Sequence, residues 1–219
     1  MDVDKSFNCN ELRESDVVDS TGRKIGKIGD MTFTFDGNLN LAQFVLHGSA
    51  WEEFLESIGA RPDRDPLFDA SLIRRIGNTV QLKTNVNSLK TTLDEGAITE
   101  AEIRWSELKD TYIVDKDEVR VGKAVDIDFD IDGKASLTVG GGVIEETLES
   151  IGFKTDVDII VPAETIESMG EEIKLRVSKD ELQLTLDNAL EESEKRKAKD
   201  DAKTHRDVAK IRLFSNRLM

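Results

Sequence analysis

The 219-residue chain is poor in several features, and each scarcity excludes a class of protein. It has one cysteine, three prolines and 5% aromatic residues. The single cysteine, Cys9, permits neither an internal disulfide nor a cysteine-based zinc site, so a reducing cytosol is expected. Few prolines and no long Ser/Gly tract exclude a linker-dominated chain. No run of 18 apolar residues occurs and Met1–Lys5 lacks a secretory signal, so we expect a cytoplasmic protein without a transmembrane segment.

Positive charge is also scarce. The chain carries 45 acidic and 30 basic side chains, a net charge of −15. Affinity for phosphates comes mostly from clustered Lys and Arg, so direct binding to nucleic acid is disfavoured. The hydrophobic fraction of 38% exceeds that of a disordered chain, and the length suits one large domain or two small ones.

An internal duplication organises the chain. Leu55–Gly59 recurs identically as Leu148–Gly152, at an offset of 93 residues. Further upstream the offset is 96, as between Asp36-Gly37 and Asp132-Gly133. One three-residue deletion explains the change of offset. Self-similarity at a fixed offset indicates two copies of one structural unit.

The duplication predicts a lead, two repeats, a connector and a tail, at residues 1–10, 11–94, 107–190, 95–106 and 191–219, respectively. The net charge is −3 in the first repeat, −12 in the second and +3 in the tail. The two copies are therefore similar in pattern and different in electrostatics.

Short strands are predicted in each repeat. Asp36-Gly37 lies between two apolar-rich runs and is a strong hairpin signal. In the second repeat, apolar residues from Val125 to Ile131 alternate with four aspartates from Asp126 to Asp132, which predicts one buried and one solvated strand face.

Later in each repeat, apolar residues at helical spacing in 51–58 and 144–151 predict a short helix. A last strand is predicted near Thr79–Lys83 and again near Glu172–Val177. About 80 residues of short strands suit a small closed barrel, which leaves no exposed sheet edge.

Two segments resemble the opening and the close of a PRC-barrel domain. They are Val18-Asp19-x-x-Gly22-x-x-Ile25-Gly26-Lys27-Ile28-x-Asp30 and Ile160-Val-Pro-Ala-Glu-Thr-Ile166-x-x-Met-Gly170-x-x-Ile173-x-Leu175. We therefore expect a mainly β fold of two tandem small PRC-like β-barrels from an internal duplication, followed by a charged C-terminal helix. Glu118 stands where the first copy has Gly22, so the first turn of the second barrel is expected to be built differently.

A tandem arrangement in a small acidic protein is similar to the archaeal cell-division PRC-barrel proteins. The resemblance implies a non-enzymatic adaptor or scaffold near the FtsZ ring. Its expected partners are a SepF-type membrane anchor and another PRC-barrel protein, which would bring it from the cytoplasm to the division site. Contact between unlike barrels of different molecules would give an oligomer or polymer. The alternative is a ribosome maturation or assembly factor that binds a ribosomal protein.

Metal and phosphate motifs are incomplete. Asp128-x-Asp130-x-Asp132-Gly133 begins like an EF-hand loop, but Val139 stands at position twelve, where a bidentate Glu is required. Gly140–Gly142 lacks the Lys and Ser/Thr of a phosphate loop and predicts a bend. We therefore expect no metal and no cofactor.

Catalytic residues are equally unsupported. His47 and His205 have no ligand-type neighbour at helical spacing, and Ser49 lacks the second glycine of a nucleophile elbow. Trp51 is matched in the second repeat by Ile144, which favours core packing for this residue. Trp105 falls between the repeats and is expected to pack the barrels together. No residue anchors a catalytic role, and no enzymatic activity is expected.

The tail is the most informative segment outside the repeats. Residues 191–203 are nearly all charged, and apolar residues then return among Lys and Arg. An amphipathic segment on a charged tether is a common design for partner docking. The alternatives are a helix packed on its own barrel or a frayed end. The candidate partner-binding residues are Val208, Ile211, Leu213, Phe214 and Leu218.

Overall fold

Strands dominate the computed structural model of the chain. The chain separates into two compact units, Met1–Leu108 with Asp128–Ala135, and Lys109–Ile127 with Ser136–Met219. The structure describes residues 2–3, 7–48, 65–85, 88–91, 95–129, 135–142, 157–182 and 209–212. The helices predicted within 51–58 and 144–151, with Trp51, lie outside the described residues.

The first unit contains a curled nine-stranded sheet, two one-turn helices and a 3-10 turn at Ala70–Leu72. The helices are α1 (Cys9–Leu12) and α2 (Trp105–Leu108). The sheet order is β1-β7-β8-β3-β4-β5-β6-β9, with β10 beside β4. The strands are β1 (Asp2–Val3), β2 (Phe7–Asn8), β3 (Asp16–Val18), β4 (Lys24–Phe35), β5 (Leu39–His47), β6 (Pro66–Asp69), β7 (Ile73–Ile76), β8 (Val80–Leu82), β9 (Lys90–Thr91) and β10 (Glu102–Arg104).

The second unit repeats this plan with an eight-stranded sheet that β2 joins at one end of β12, and with a 3-10 turn at Ala163–Thr165. The order is β15-β16-β11-β12-β13-β14-β17. Both units are small PRC-like β-barrels, as the sequence predicts. The strands are β11 (Tyr112–Val114), β12 (Arg120–Phe129), β13 (Ala135–Gly140), β14 (Val157–Pro162), β15 (Ile166–Met169), β16 (Ile173–Leu175) and β17 (Ala209–Arg212).

The predicted hairpin is the longest strand pair of the first unit. β4 and β5 pair antiparallel from Lys27 opposite His47 to Phe35 opposite Leu39. Gly37 at the tip has a φ of 98°, a left-handed conformation that glycine adopts without steric cost. The hairpin prediction at Asp36-Gly37 is confirmed.

The predicted closing strands are also present, as β8 and β16. β8 pairs parallel with β3, where Val17 lies opposite Val80. β16 pairs parallel with β11, where Ile113 lies opposite Ile173. These four side chains are all buried, so each barrel closes on the same pair of repeat-related positions.

Two short strands of the first unit pair at equivalent places in the repeat. β2 lies beside Asp128 and Phe129, and β10 lies beside Thr32–Thr34. The 96-residue offset relates Phe33 to Phe129, and the rings of these two residues stack with centroids 5.6 Å apart. Stacking of this kind contributes about 0.5–1.5 kcal/mol beyond the area buried.

The aspartates of β12 do not form the solvated face that alternation predicts. Asp126 and Asp128 are only 7% and 8% exposed. Asn8 of β2 pairs opposite Asp128, so a neighbouring strand covers this side of β12. The Asp126 carboxylate accepts a hydrogen bond from the backbone N–H of Ile127. The prediction was wrong because alternation identifies a strand but does not reveal what packs against each face. Asp130 and Asp132 lie outside the described residues.

An aspartate builds the first turn of the first barrel. Asp19 is buried, and its Oδ1 accepts hydrogen bonds from the backbone N–H groups of Thr21 and Arg23 at 2.9 and 3.1 Å. Gly22 completes the turn with a φ of 84°. A short side chain that bonds its own backbone in this way replaces part of the missing strand ladder.

The second barrel uses the same turn. Oδ1 of the buried Asp115 accepts from the N–H groups of Asp117 and Val119 at 2.9 and 2.8 Å. Glu118, the counterpart of Gly22, has a φ of 64°. The expectation of a differently built turn is therefore wrong, because the aspartate's hydrogen bonds hold a non-glycine residue in the left-handed region.

Glu118→Gly is expected to raise the free energy of unfolding by about 1 kcal/mol, because it removes the steric cost of a left-handed non-glycine residue. Gly22→Glu makes the reverse change and is expected to lower it by a similar amount. A Cβ at Gly22 meets no atom within 4 Å, so only backbone conformation is tested. Denaturant unfolding measures both; equal stability of all three chains would contradict this account.

Trp105 is a core residue of the first unit. It opens α2 and is 1% exposed. The next residue, Ser106, anchors the helix because its N–H and hydroxyl donate to the carboxylate of Asp30 at 3.1 and 2.6 Å. The buried indole Nε1 has no hydrogen-bond partner among the described residues.

Trp105→Phe should therefore change the free energy of unfolding little, since it removes a polar group that forms no hydrogen bond in the described part of the chain. Trp105→Ala should lower it by about 3–5 kcal/mol through lost packing. Thermal or denaturant unfolding of the two variants tests the contrast. A large loss in the Phe variant would show that the indole N–H is bonded.

Candidate protein-interaction site

The described part of the tail is a strand. Ala209–Arg212 form β17, so the predicted helix is wrong for these four residues. Of the candidate partner-binding residues, Ile211 lies within β17, where its Cα pairs with that of Ile159. The candidates outside the described residues are Val208, Leu213, Phe214 and Leu218.

The sequence contains a signal for this strand. Ala209, Ile211 and Leu213 alternate with Lys210 and Arg212, which is the period of two that strands show. The same stretch also has apolar residues three and four apart, so periodicity alone did not separate the two structures. A sheet edge decides the outcome, because a short segment gains main-chain hydrogen bonds by adding to it.

β14 supplies that edge. It pairs antiparallel with β13 on one side, where Leu137 lies opposite Val161, and parallel with β17 on the other. Ile160 and Val161 of β14 are 5% and 0% exposed. The strand is therefore held by its own barrel and presents a fixed row of backbone groups to β17.

The first barrel covers the equivalent edge from within its own repeat. β6 pairs with β5 on one side and with β9 on the other, where Leu67 lies opposite Lys90. The 93-residue offset relates Leu67 to Ile160, which lies opposite Arg212 of the tail. The same edge position is thus closed locally in the first barrel and by a remote segment in the second.

Charge favours the β14–β17 pair. The register places Lys210 opposite Asp158. Opposite charges at directly paired positions stabilise neighbouring strands. The tail carries +3 and the second repeat −12, so the wider charge distribution acts in the same direction.

A second exposed cluster lies on the second barrel. Tyr112 is 39% exposed, and Arg120 and Lys123 lie over its ring, with the guanidinium carbon 4.0 Å and the ammonium nitrogen 4.8 Å from the centroid. An exposed ring between two cations suits contact with an acidic partner. In the first barrel the counterparts of Tyr112 and Arg120 are Asp16 and Lys24, which form a 2.8 Å ion pair.

The sequence analysis missed this Tyr112 cluster. The available signal was the replacement of Asp16 by Tyr112 at equivalent positions of the repeat. The replacement removes a carboxylate that neutralises a cation in the first barrel. The two barrels therefore present chemically different surfaces at the same place in the fold.

His47 belongs to an exposed ionic cluster of the first barrel. Glu14 places one carboxylate oxygen 3.0 Å from His47 Nε2 and the other 3.4 Å from Lys27 Nζ. Desolvation raises the pKa of Glu14, but the attraction of His47 and Lys27 outweighs it, so the pKa lies below its usual value. Among the described residues no group of three or more His, Cys, Asp or Glu side chains could hold a metal ion. His205 and Ser49 lie outside that part of the chain.

Two carboxylates fix the segment that leads towards the tail. Burial raises the pKa of Asp115, but backbone N–H donors from Val119, Lys179 and Asp117 outweigh burial, and the pKa is lowered. Ser178 and Glu181 form a capping box at the start of the helical residues 179–182, with Ser178 N–H donating to Glu181 at 2.7 Å.

The hydrogen bonds from Ser178 and from Lys116 lower the pKa of Glu181 to about 2, from 4.5. A carboxyl whose folded pKa is lowered stabilises the fold above its unfolded pKa. That stabilisation is lost as the pH falls through the folded value. Glu181 therefore contributes fully above pH 4.5 and progressively less towards pH 2.

Glu181→Gln should lower the free energy of unfolding near neutral pH, and the difference from the unaltered chain should shrink between pH 4.5 and 2. Denaturant unfolding across this range checks the effect. The matched control is Glu164→Gln, an exposed glutamate of the same unit. A difference that does not depend on pH would contradict the assigned role of the Glu181 charge.

Comparison with known proteins supports the fold. Residues 4–48 match the family model of the PRC-barrel domain, and this stretch contains the hairpin of β4 and β5. Comparison with curated proteins gives no match. PRC-barrel domains commonly mediate protein–protein interactions. In the described part of the chain, no helix has the length and apolar character needed to cross a membrane.

Proposed function

We propose that the protein is a non-enzymatic adaptor or scaffold that acts by binding other proteins. The observation that carries this proposal is the β14 edge, a rigid row of backbone groups that accepts a short strand from a remote segment. Main-chain hydrogen bonds at such an edge provide affinity, and alternate side chains of the added strand provide selectivity.

The Tyr112 cluster supports a second contact of different chemistry. Its exposed ring and two cations suit an acidic segment, whereas the β14 edge takes an extended strand. Two unlike contacts on one barrel allow the protein to hold two partners together. This is the property that an adaptor requires.

Cell division is the setting that we propose for the adaptor, in an archaeal cytoplasm. The proposed partners are a SepF-type membrane anchor and a related PRC-barrel protein near the FtsZ ring. The proposal is supported by the PRC-barrel match at residues 4–48, by the repeated barrel and by the resemblance to the division proteins of this fold.

Capture from a lysate of the source organism tests this function. The unaltered chain should retain division proteins, identified by mass spectrometry. Tyr112→Asp restores the residue type of the first barrel and should reduce retention of an acidic partner by about ten-fold, because the carboxylate pairs with Arg120.

Asp16→Asn, at the equivalent position of the first barrel, is the matched control and should retain the same proteins. Ribosomal proteins in place of division proteins would contradict the division role. Equal retention by the Tyr112→Asp chain would remove the Tyr112 cluster from the interface.

A further inference from the structure

The strand that closes the β14 edge comes from far along the chain. In the first barrel, only residues 83–89 separate β8 from β9. In the second, residues 183–208 separate Leu182, the last described residue before the tail, from β17. A connection of this number of residues can extend to about 86 Å, at about 3.3 Å per residue. It is therefore long enough to reach either the edge of its own barrel or that of another molecule.

We propose that β17 is exchanged between two copies of this chain, so that the β17 strand of each copy pairs with the β14 strand of the other. The exchanged pair has the same register as the pair within one chain, from Val157 opposite Ala209 to Ile160 opposite Arg212. Exchange of an identical element preserves its contacts and is a low-cost route to a dimer.

Charge makes a second copy the fitting occupant. Two second repeats, each at −12, repel one another, and an exchanged tail brings +3 to the barrel it joins. At the strand itself, Lys210 of one copy lies opposite Asp158 of the other in the register of the pair. The added segment is thus complementary to the edge in both backbone and charge.

This inference goes beyond the proposed function, since it needs no other protein. A purified sample tests it, whereas the division role is tested by capture from a lysate. Failure of exchange leaves the capture result standing, and failure of capture leaves the exchange result standing.

Cysteine cross-linking between separate molecules is the direct test. Asp158→Cys and Lys210→Cys are introduced into different samples of the full chain, which are then mixed and oxidised. Paired residues on neighbouring strands lie about 4.8 Å apart, within the Cα separation that a disulfide tolerates. The native Cys9 is buried at 0% exposure, so oxidation of the unaltered chain gives the background.

Exchange predicts a cross-linked heterodimer in the mixed sample. Asp158→Cys mixed with Asn216→Cys is the matched control, because Asn216 lies in the same tail outside β17, and it should give only collisional product. The chain with both Asp158→Cys and Lys210→Cys reports pairing within one molecule. If it yields only an internally cross-linked monomer and the mixture yields no heterodimer, exchange is excluded. Absence of both products would exclude the β14–β17 pair itself and the proposal with it.

Sedimentation velocity gives an independent readout without added cysteine. Adjacent N–H groups of a strand point to opposite sides, so Lys210→Pro combined with Ile211→Pro removes one donor that faces β14. This chain should show about a ten-fold smaller dimer fraction than the unaltered protein at the same concentration. Arg217→Pro combined with Leu218→Pro, beyond β17, should leave the dimer unchanged. A monomeric unaltered chain, or equal dimer fractions in both variants, would overturn the proposal.

Discussion

Backbone hydrogen bonding at the edge of β14 is the constraint on which the rest of this account depends. An open strand edge presents unpaired N–H and C=O groups that recruit another strand. The first barrel meets this requirement with β9, a strand of its own repeat, and the second meets it with β17 from the tail. One duplicated fold therefore has an edge that is closed locally in one copy and remotely in the other.

The duplication preserves the elements that close each barrel and varies those that face solvent. Asp19 and Asp115 build the same turn by accepting backbone N–H groups, even though the left-handed position is glycine in one copy and Glu118 in the other. By contrast, the ion pair of Asp16 becomes the cation-flanked ring of Tyr112. A buried carboxylate with fixed partners tolerates little change, whereas an exposed position can acquire a new chemistry.

The barrel fold could be predicted from local patterns because its signals are local. An Asp-Gly pair between apolar runs sets the β4–β5 hairpin, and period-two runs mark the closing strands β8 and β16. The burial of Asp126 and Asp128 could not be predicted in this way, since at Asp128 it depends on a strand more than 100 residues earlier in the chain. The turn at Glu118 was missed for a related reason. Residue type suggested strain, while the stabilising hydrogen bonds come from Asp115.

The candidate site shows the same limit. The tail was recognised as a docking segment from its apolar and basic residues, but Ala209–Arg212 form a strand where a helix was predicted. Both periodicities are present in the tail, and the choice between them depends on the β14 edge. The Tyr112 cluster depends on Arg120 and Lys123, which reach one ring from the neighbouring strand β12. Long-range pairing, which no short window contains, determines both features.

Hydrogen–deuterium exchange in β14 tests the central claim most directly. Alternate amides of a strand face opposite neighbours, so β13 protects about half of those in Val157–Pro162 and β17 protects the others. In the chain with Lys210→Pro and Ile211→Pro, we predict fast exchange for the amides that face β17 and unchanged protection for those that face β13. Identical protection throughout β14 with and without the two prolines would contradict the claim that the tail strand closes this edge.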